Sequence, residues 1–196
     1  FLEGSKQVLK LLEAGHDLIV LDDFSNSSPI ALDRVCEVSK RPIKLIRGDI
    51  RDQGSLEKIF TTAKEACQPI DAVIHFAGHI VVPESVSDPG KYYRNNVVGS
   101  LNLIECCQQA GVGLFVFSSS AAVYGNPAEV PVNESALTHP INPYGRTKLI
   151  TEWTLQDFAQ RRGTDSGLRF VALRYFNVAG ASLDGTLGQA TPEATH

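Results

Sequence analysis

The sequence Asp-Ala-Val-Ile-His-Phe-Ala-Gly at residues 71–78 decides the fold class. This short apolar run ends at Gly78, a pattern that predicts a strand buried on both faces and followed by a turn. Similar runs occur at residues 18–21, 43–46, 114–119 and 169–176. Helical patterns separate them, and strands that alternate with helices form parallel sheets. The sequence therefore predicts an α/β fold with a doubly wound parallel sheet of the Rossmann-like kind.

The helices between these strands are predicted from apolar residues at helical spacing. They cover residues 5–14, 31–38, 55–66, 92–110 and 144–161. Gly15 is a good residue to follow the first helix. Pro83 and Pro89 predict an irregular loop after Gly78, and residues 124–143 are rich in turn formers.

Composition excludes several classes of function. The 196 residues are 43% hydrophobic, which suits one ordinary globular core, and the net charge of -4 disfavours binding to nucleic acid or an anionic membrane. No apolar run is long enough to span a membrane. The four cysteines lack metal-ligand spacing, so we expect no metal site and reduced thiols in the cytoplasm.

The segment Ile-Asn-Pro-Tyr-Gly-Arg-Thr-Lys at residues 141–148 places Tyr144 and Lys148 four residues apart at the start of a predicted helix. Asn142 is a good N-cap and Pro143 suits the first helical position. Residues four apart share a helix face, so the Lys148 ammonium is expected beside the Tyr144 phenol. The ammonium and the positive end of the helix dipole would both favour the phenolate. Tyr144 is thus a candidate general base.

Other candidate residues follow the predicted strands. Ser120 closes the run at 114–119, so a serine, a tyrosine and a lysine can converge. Ligands of doubly wound sheets bind outside the carboxyl ends of the strands. The residues predicted at this edge are Asp22, Asp49, Phe76, Ala77, Gly78, Ser120, Phe176 and Asn177.

Asp22 lies 18 residues after Gly4. An acidic residue at about this distance beyond a glycine-rich turn binds the ribose hydroxyls of a dinucleotide and repels a 2′-phosphate, which favours NAD over NADP. The glycine-rich turn itself is absent, and Gly4 is at most its last glycine. The dinucleotide fingerprint is therefore half complete.

Seven segments together resemble the UDP-glucose 4-epimerase family of the extended short-chain dehydrogenase/reductases. They are Gly-His-Asp-Leu-Ile-Val-Leu-Asp-Asp-Phe-Ser-Asn-Ser (15–27), Gly-Asp-Ile-Arg-Asp (48–52), Val-Ile-His-Phe-Ala-Gly (73–78), Tyr-Tyr-Arg-Asn-Asn (92–96), Phe-Ser-Ser-Ser-Ala-Ala-Val-Tyr-Gly (117–125), Pro-Tyr-Gly-Arg-Thr-Lys (143–148) and Leu-Arg-Tyr-Phe-Asn-Val-Ala-Gly-Ala (173–181). The likeness runs in order along almost the whole chain.

The resemblance implies a site for each candidate residue. Ser120, Tyr144 and Lys148 would be catalytic, and Ser120, Tyr144 and Asn177 would contact the substrate. The implied NAD-binding residues are Gly4, Asp22, Asp23, Phe24, Ser25, Asn26, Ser27, Asp49, Ile50, Phe76, Ala77, Gly78, His79, Ile80, Asn96, Ser120, Tyr144, Lys148 and Phe176.

The implied reaction interconverts UDP-glucose and UDP-galactose. Tyr144 would take the proton of the C4 hydroxyl while hydride passes to NAD⁺, and Ser120 would orient the oxygen. The flat 4-keto sugar would then turn and accept the hydride on its other face. A nucleotide-sugar 4,6-dehydratase or decarboxylase of the same branch, or a non-catalytic dinucleotide-binding module, are the alternatives. The residues after Ser120 lack the Asp-Glu pair that a dehydratase needs.

The resemblance also implies the domain organisation. Residues 1–180 would form a partial NAD-binding domain, and residues 181–196 would begin the substrate-binding segment. The chain starts at Phe1 and contains no Met, which predicts a piece of a longer protein. Members of the family commonly form homodimers, so a homodimer is possible here.

We predict that the chain by itself folds poorly and binds NAD weakly. In the strand order 3-2-1-4-5-6 the first strand is central, and the sequence shows no counterpart of it, so the second and third strands would have no partner joining them to the rest. Isothermal titration calorimetry with NAD checks this prediction. A well-folded preparation with micromolar affinity would contradict it.

Overall fold

The computed structural model describes residues 2–160 and 168–178. The helices and strands follow one another in the order α1 (Leu2–Glu13), β1 (Ile19–Asp22), α2 (Ile30–Ser39), β2 (Lys44–Arg47), α3 (Gln53–Glu65), β3 (Ala72–His75), α4 (Val82–Ser87), α5 (Pro89–Tyr92), a π-helix (Tyr93–Gly99), α6 (Ser100–Ala110), β4 (Leu114–Ser120), a 3₁₀-helix (Ala121–Tyr124), α7 (Pro143–Ala159) and β5 (Arg169–Tyr175). The described residues divide into two compact units, one with residues up to 49 and residues 177–178, the other within residues 50–176.

The first unit contains α1, β1, α2 and β2. Strands β1 and β2 pair in parallel, with Asp22 opposite Arg47 at their carboxyl ends. Leu12 and Val35 form the buried core between the two helices. Gly15 has a φ of +93° and ends α1, as the sequence predicts.

The second unit contains a three-stranded parallel sheet in the order β3-β4-β5. Its central strand β4 buries every second residue, Phe115, Phe117 and Ser119. The register places Ser119 opposite Arg174 and Ser120 opposite Tyr175. The parallel α/β architecture predicted from the sequence is confirmed, and the described strands form two separate sheets as the missing central strand predicts.

One expectation about burial is wrong. The sequence predicts β1 and β3 to be buried on both faces, whereas β1 is half-buried along its length and β3 buries only His75. Strand β2 is largely exposed. Each of these three strands has a single neighbouring strand among the described residues, so none of them lies in the interior of a larger sheet there.

The prediction of an irregular loop after Gly78 is also wrong in part. Helices α4 (Val82–Ser87) and α5 (Pro89–Tyr92) lie there, and each has a proline in its first turn. Pro83 and Pro89 therefore begin helices, because a missing N–H costs nothing in the first turn and the fixed φ of proline suits it. Asp88 caps α5 by accepting a hydrogen bond from the Lys91 N–H at 3.0 Å.

The predicted helix over residues 92–110 is present, with a different first half. Residues Tyr93–Gly99 form a π-helix that continues into α6. Asn95 and Asn96 are both buried there. At the end of the π-helix, a Cβ on Gly99 would lie 2.7 Å from Ile50 Cδ1, so any larger residue there would displace the Ile50 side chain. Single π-turns within helices are frequent at functional sites.

Helix α7 begins as the sequence predicts. Asn142 has extended backbone geometry and its side chain accepts a hydrogen bond from the Gly145 N–H at 2.8 Å, while Pro143 occupies the first turn. A Cβ at Gly145 would lie 2.6 Å from the Ala122 carbonyl oxygen. The start of α7 therefore packs directly against the backbone of the 3₁₀-helix that follows β4.

We expect Asn142→Ala to lower the free energy of unfolding by about 1 kcal/mol, because it leaves the Gly145 N–H without its acceptor. Chemical denaturation of the complete protein carrying this sequence measures the change. Asn142→Asp keeps the acceptor oxygen and should retain most of the stability. Equal losses in the two variants would contradict a capping role.

Candidate active site

Tyr144 and Lys148 lie in the first two turns of α7 and are both buried. The Lys148 Nζ donates a hydrogen bond to the Ser118 carbonyl oxygen at 2.7 Å. It lies 5.0 Å from the centroid of the Phe117 ring and 5.8 Å from that of Tyr144. The helical spacing thus places a buried ammonium beside the Tyr144 ring.

Strand β4 brings Ser120 to the same helix. The Ser118 carbonyl oxygen accepts the hydrogen bond from Lys148 Nζ. Ser119 is buried, and Ser120 ends the strand. Ser120 Oγ accepts a hydrogen bond from the Ala122 N–H at 3.2 Å. The hydroxyl proton of Ser120 remains available for a separate bond, since a hydroxyl can accept and donate at once.

The loop after β3 lies against Lys148. A Cβ at Gly78 would be 3.4 Å from both Lys148 Nζ and Asn96 Oδ1. Asn96 bonds to both backbone groups of His79, the residue after Gly78. Its Oδ1 accepts from the His79 N–H at 2.9 Å and its Nδ2 donates to the His79 carbonyl at 3.0 Å. Phe76 and Gly78 are half-exposed, and Ala77 and Ile80 are exposed. This loop therefore offers accessible backbone next to a buried positive charge.

The side-chain amide of Asn96 is fully used by protein groups. Its Oδ1 also accepts from Asn95 Nδ2 at 2.9 Å, and its Nδ2 also donates to Thr147 Oγ1 at 3.2 Å. An asparagine amide offers two donor hydrogens and two acceptor lone pairs, so all four positions are occupied. Asn96 thereby joins the loop after β3, the π-helix and α7.

His75 is a buried polar group that sequence reasoning did not single out. Its Nε2 lies 2.8 Å from Ser100 Oγ, and the Ser100 hydroxyl donates to the Asn96 carbonyl at 2.5 Å. Because that proton is already used, His75 Nε2 carries a hydrogen and donates it to Ser100. Burial lowers the pKa of His75 to about 3, and the charge of Lys148 acts in the same direction. The signal in the sequence is a histidine inside an apolar strand.

Glu152 is the second group that sequence reasoning missed. It is 3% exposed and lies one turn after Lys148 on α7. Its partners are Ser119 and Arg174. The sequence shows a carboxylate four residues beyond Lys148, on the same helix face, but this spacing does not reveal its burial or its partners.

The predicted dinucleotide residues of the first unit form a compact turn after β1. Asp22 Oδ1 accepts from the Phe24 N–H at 2.8 Å and from Ser27 Oγ at 2.7 Å. Asp23 Oδ1 likewise accepts from the N–H and the hydroxyl of Ser25. Both bonds to Asp22 use the same carboxylate oxygen. This turn ends a parallel strand, the position at which sheets of this kind bind ribose.

The remaining predicted residues lie as follows. Gly4 is buried within α1, Asn26 is exposed, and Asp49 is half-buried after β2. Ile50 is buried in the second unit, where it packs against Gly99.

Phe176 and Asn177 are exposed beyond the end of β5. Phe176 lines a cavity of about 370 Å³ whose walls include Arg174 and Glu152. Ser120, Tyr144 and Lys148 do not line this cavity. The predicted substrate-binding segment at residues 181–196 falls outside the described residues.

The chain matches the model of the NAD dependent epimerase/dehydratase family over residues 2–194. It belongs to this family.

Two relatives and two solved structures show the extent of the similarity to epimerases. The chain is 47% identical to the UDP-glucose 4-epimerase of Azospirillum brasilense, covering 98% of this chain and 51% of the relative, and 44% identical to UDP-glucose 4-epimerase 2 of Arabidopsis thaliana, covering 95% and 52%. The structure of UDP-glucose 4-epimerase from Brucella ovis in complex with NAD aligns with a TM-score of 0.85 at 42% identity, over 98% of this chain and 54% of that one. The enzyme from Bifidobacterium longum in complex with NAD+ and UDP aligns with a TM-score of 0.86 at 41% identity, over 94% and 53%.

The chain spans about half the length of the relatives it matches. The resemblance read from the seven sequence segments is confirmed by these similarities, as is the Rossmann-like fold class.

Within residues 2–160 and 168–178, no helix is both long and apolar enough to cross a bilayer. No cluster of three or more His, Cys, Asp or Glu side chains in that part of the chain is arranged to hold a metal ion.

We expect His75 to make stability depend on pH. Its folded pKa of about 3 lies below the ordinary value of 6.5. The unfolded chain therefore binds the proton first as the pH falls. The contribution of neutral His75 is complete above pH 6.5 and is lost progressively between about 6.5 and about 3. In His75→Gln, the unfolding free energy should fall less steeply over this interval.

His16→Gln, at an exposed histidine, is the matched control and should leave the slope unchanged. Denaturation at a series of pH values measures the slopes. An NMR titration of the wild-type imidazole gives an independent reading. A His75 imidazole that titrates near pH 6.5 would contradict the prediction.

Proposed function

We propose that the protein carrying this sequence epimerises C4 of a UDP-hexose, interconverting UDP-glucose and UDP-galactose with NAD bound. The observation that carries the proposal is the buried Lys148 ammonium, bonded to the end of β4 and adjacent to the Tyr144 ring. Ser120 ends the same strand. The relatives named UDP-glucose 4-epimerase support the choice of reaction.

Tyr144 acts as the general base in this proposal. The Lys148 charge and the N-terminus of α7 both stabilise its phenolate, so the phenolate oxygen can take the proton of the sugar C4 hydroxyl. On the return step Tyr144 gives the proton back to the C4 oxygen. Its burial keeps bulk water from competing for that proton.

Ser120 orients the oxygen that loses its proton. Its Oγ accepts a hydrogen bond from the Ala122 N–H, and the hydroxyl hydrogen can be donated to the sugar oxygen. Such a donor stabilises negative charge that develops on the C4 oxygen. Ser120 and Tyr144 are thus proposed to contact the sugar.

The residues present suit a dinucleotide. The accessible backbone from Phe76 to Ile80 beside the Lys148 ammonium suits the ribose and pyrophosphate, and the Asp22 carboxylate at the end of β1 suits the adenosine ribose. When bound, NAD supplies a reversible hydride acceptor for C4 of the sugar. Asp23 to Ser27, Asp49 and Ile50 are proposed to line its adenosine half, with Gly4 and Phe176 as further contacts.

The role proposed for Asn96 is indirect. Because protein groups occupy all four positions of its amide, Asn96 would act on NAD by fixing the backbone of His79. Asn177 is proposed to bond the UDP-sugar. Every residue of the predicted site therefore keeps a proposed role, and Asn96 acts on NAD through His79.

We also propose how the protein is organised. Residues 1–180 would belong to the NAD-binding domain and residues 181–196 to the start of the substrate-binding segment. A homodimer would use the exposed Trp153 on α7 as a contact. A cytoplasmic location is supported by the free thiols of all four cysteines.

Tyr144→Phe in the complete protein should lower epimerisation by at least about 10²-fold, the minimum expected for loss of a general base, while bound NAD is retained. The assay supplies UDP-galactose and follows UDP-glucose. Tyr93→Phe, at a half-buried tyrosine in the π-helix, is the matched control and should remain active.

Other results would overturn the proposal. Formation of a 4-keto-6-deoxy sugar by the wild-type enzyme would indicate a dehydratase, and no turnover would indicate a non-catalytic module. If Tyr144→Phe kept more than about a hundredth of the wild-type activity, Tyr144 would not be the general base.

A further inference from the structure

Glu152 is a buried carboxylate that the proposed chemistry does not use. It lies on α7 four residues after Lys148 and eight after Tyr144, on the same helix face. Its Oε1 accepts a hydrogen bond from Ser119 Oγ at 2.5 Å. Lys148 bonds to the Ser118 carbonyl, so α7 is attached to two consecutive residues of β4 immediately before Ser120.

Arg174 holds the same carboxylate from β5. Its Nη2 lies 2.7 Å from Glu152 Oε2 and its Nε lies 3.1 Å from Oε1, a forked pairing that fixes the orientation of both groups. The sheet register puts Arg174 directly opposite Ser119. Both partners of Glu152 therefore come from one point of the sheet.

The network continues to the other side of Ser120. Arg174 Nη1 donates to the Tyr124 hydroxyl at 2.9 Å, and Tyr124 ends the 3₁₀-helix that begins directly after Ser120. Ser119 and Tyr124 thus hold the chain on either side of Ser120. The ion pair of the half-buried Arg174 with the buried Glu152 joins both flanks of Ser120 to the helix that carries Tyr144.

Arg174 also engages the carboxylate that lies one turn beyond Lys148 on α7. A carboxylate and an ammonium four residues apart on a helix attract one another. With both Glu152 oxygens engaged by Arg174, the carboxylate is directed to the sheet. Lys148 then keeps its place against the Ser118 carbonyl and beside the Tyr144 ring.

We infer that Glu152, clamped by Arg174, is a positioning residue that sets the placement of Tyr144 relative to Ser120 in the reaction. The inference rests on the proposed epimerase function. Misplacement of a catalytic group by about 1 Å can cost on the order of 10²-fold in rate. Loss of the network should therefore lower kcat and leave KM and NAD occupancy little changed.

The test compares Ser119→Ala and Glu152→Gln in the complete protein. Ser119→Ala removes only the hydrogen bond between β4 and Glu152, and its kcat should fall roughly 3- to 10-fold. Glu152→Gln also breaks the ion pair, and its kcat should fall on the order of 10- to 100-fold. KM for UDP-galactose should stay within about twofold. Asp157→Asn, the same kind of charge removal at an exposed position of α7, should match the wild type.

The pH dependence of kcat separates positioning from stability. Ser119→Ala changes no charge, so a shift of the acid limb to higher pH would report weaker coupling between Lys148 and Tyr144. A network that only stabilises the fold would lower Tm and leave both kcat and the acid limb unchanged. That result in Ser119→Ala overturns the inference, and it decides the question even where Glu152→Gln does not fold.

The wild-type assay in the same series keeps the two proposals apart. Epimerisation by the wild type together with unchanged kcat in both variants removes only the positioning role. Absence of epimerisation in the wild type would contradict the proposed function, and with it the positioning role.

Discussion

The hydrogen bond from the Lys148 ammonium to the Ser118 carbonyl is the interaction on which the site depends. A buried charge is costly unless it is paired or hydrogen-bonded, and here the end of a parallel strand provides a main-chain acceptor. Main-chain oxygens cannot change with side-chain identity, so the position of the ammonium is set by the sheet. The neighbouring His75 is kept neutral by the same burial and the same charge.

Local chemistry explains what could be predicted from the sequence. Asn142 and Pro143 start α7 through bonds within one turn, and Gly15 ends α1 through its own backbone freedom. Tyr144 and Lys148 meet because they are four residues apart on that helix. Such features depend only on residues close in the chain. The prediction of an irregular loop around Pro83 and Pro89 was wrong, because proline interrupts the middle of a helix but suits the first turn of one.

The features that could not be predicted depend on long-range contacts. Glu152 bonds to Ser119, 33 residues away in the sequence, and to Arg174, 22 residues away. Contacts between residues so far apart leave no periodic pattern in the sequence. His75 is kept neutral by side chains from other elements. The exposure of β1 and β2 likewise depends on which strands lie beside them. The sequence predicted the strand ends and the adjacency of Tyr144 and Lys148, whereas the buried polar groups near them required the structure.

The π-helix Tyr93–Gly99 has a consequence for the length of the chain. It turns two adjacent asparagines inward and ends where Gly99 touches Ile50. Removing one residue would let the segment return to α-helical winding and rotate the following helix by about 100°, the angle between successive residues in 3.6-residue turns. Ser100 would then leave His75, and the Asn96 amide would leave His79. Side chains in this segment can therefore be exchanged more readily than its residue count can change, and related sequences should show no insertions or deletions between α5 and α6.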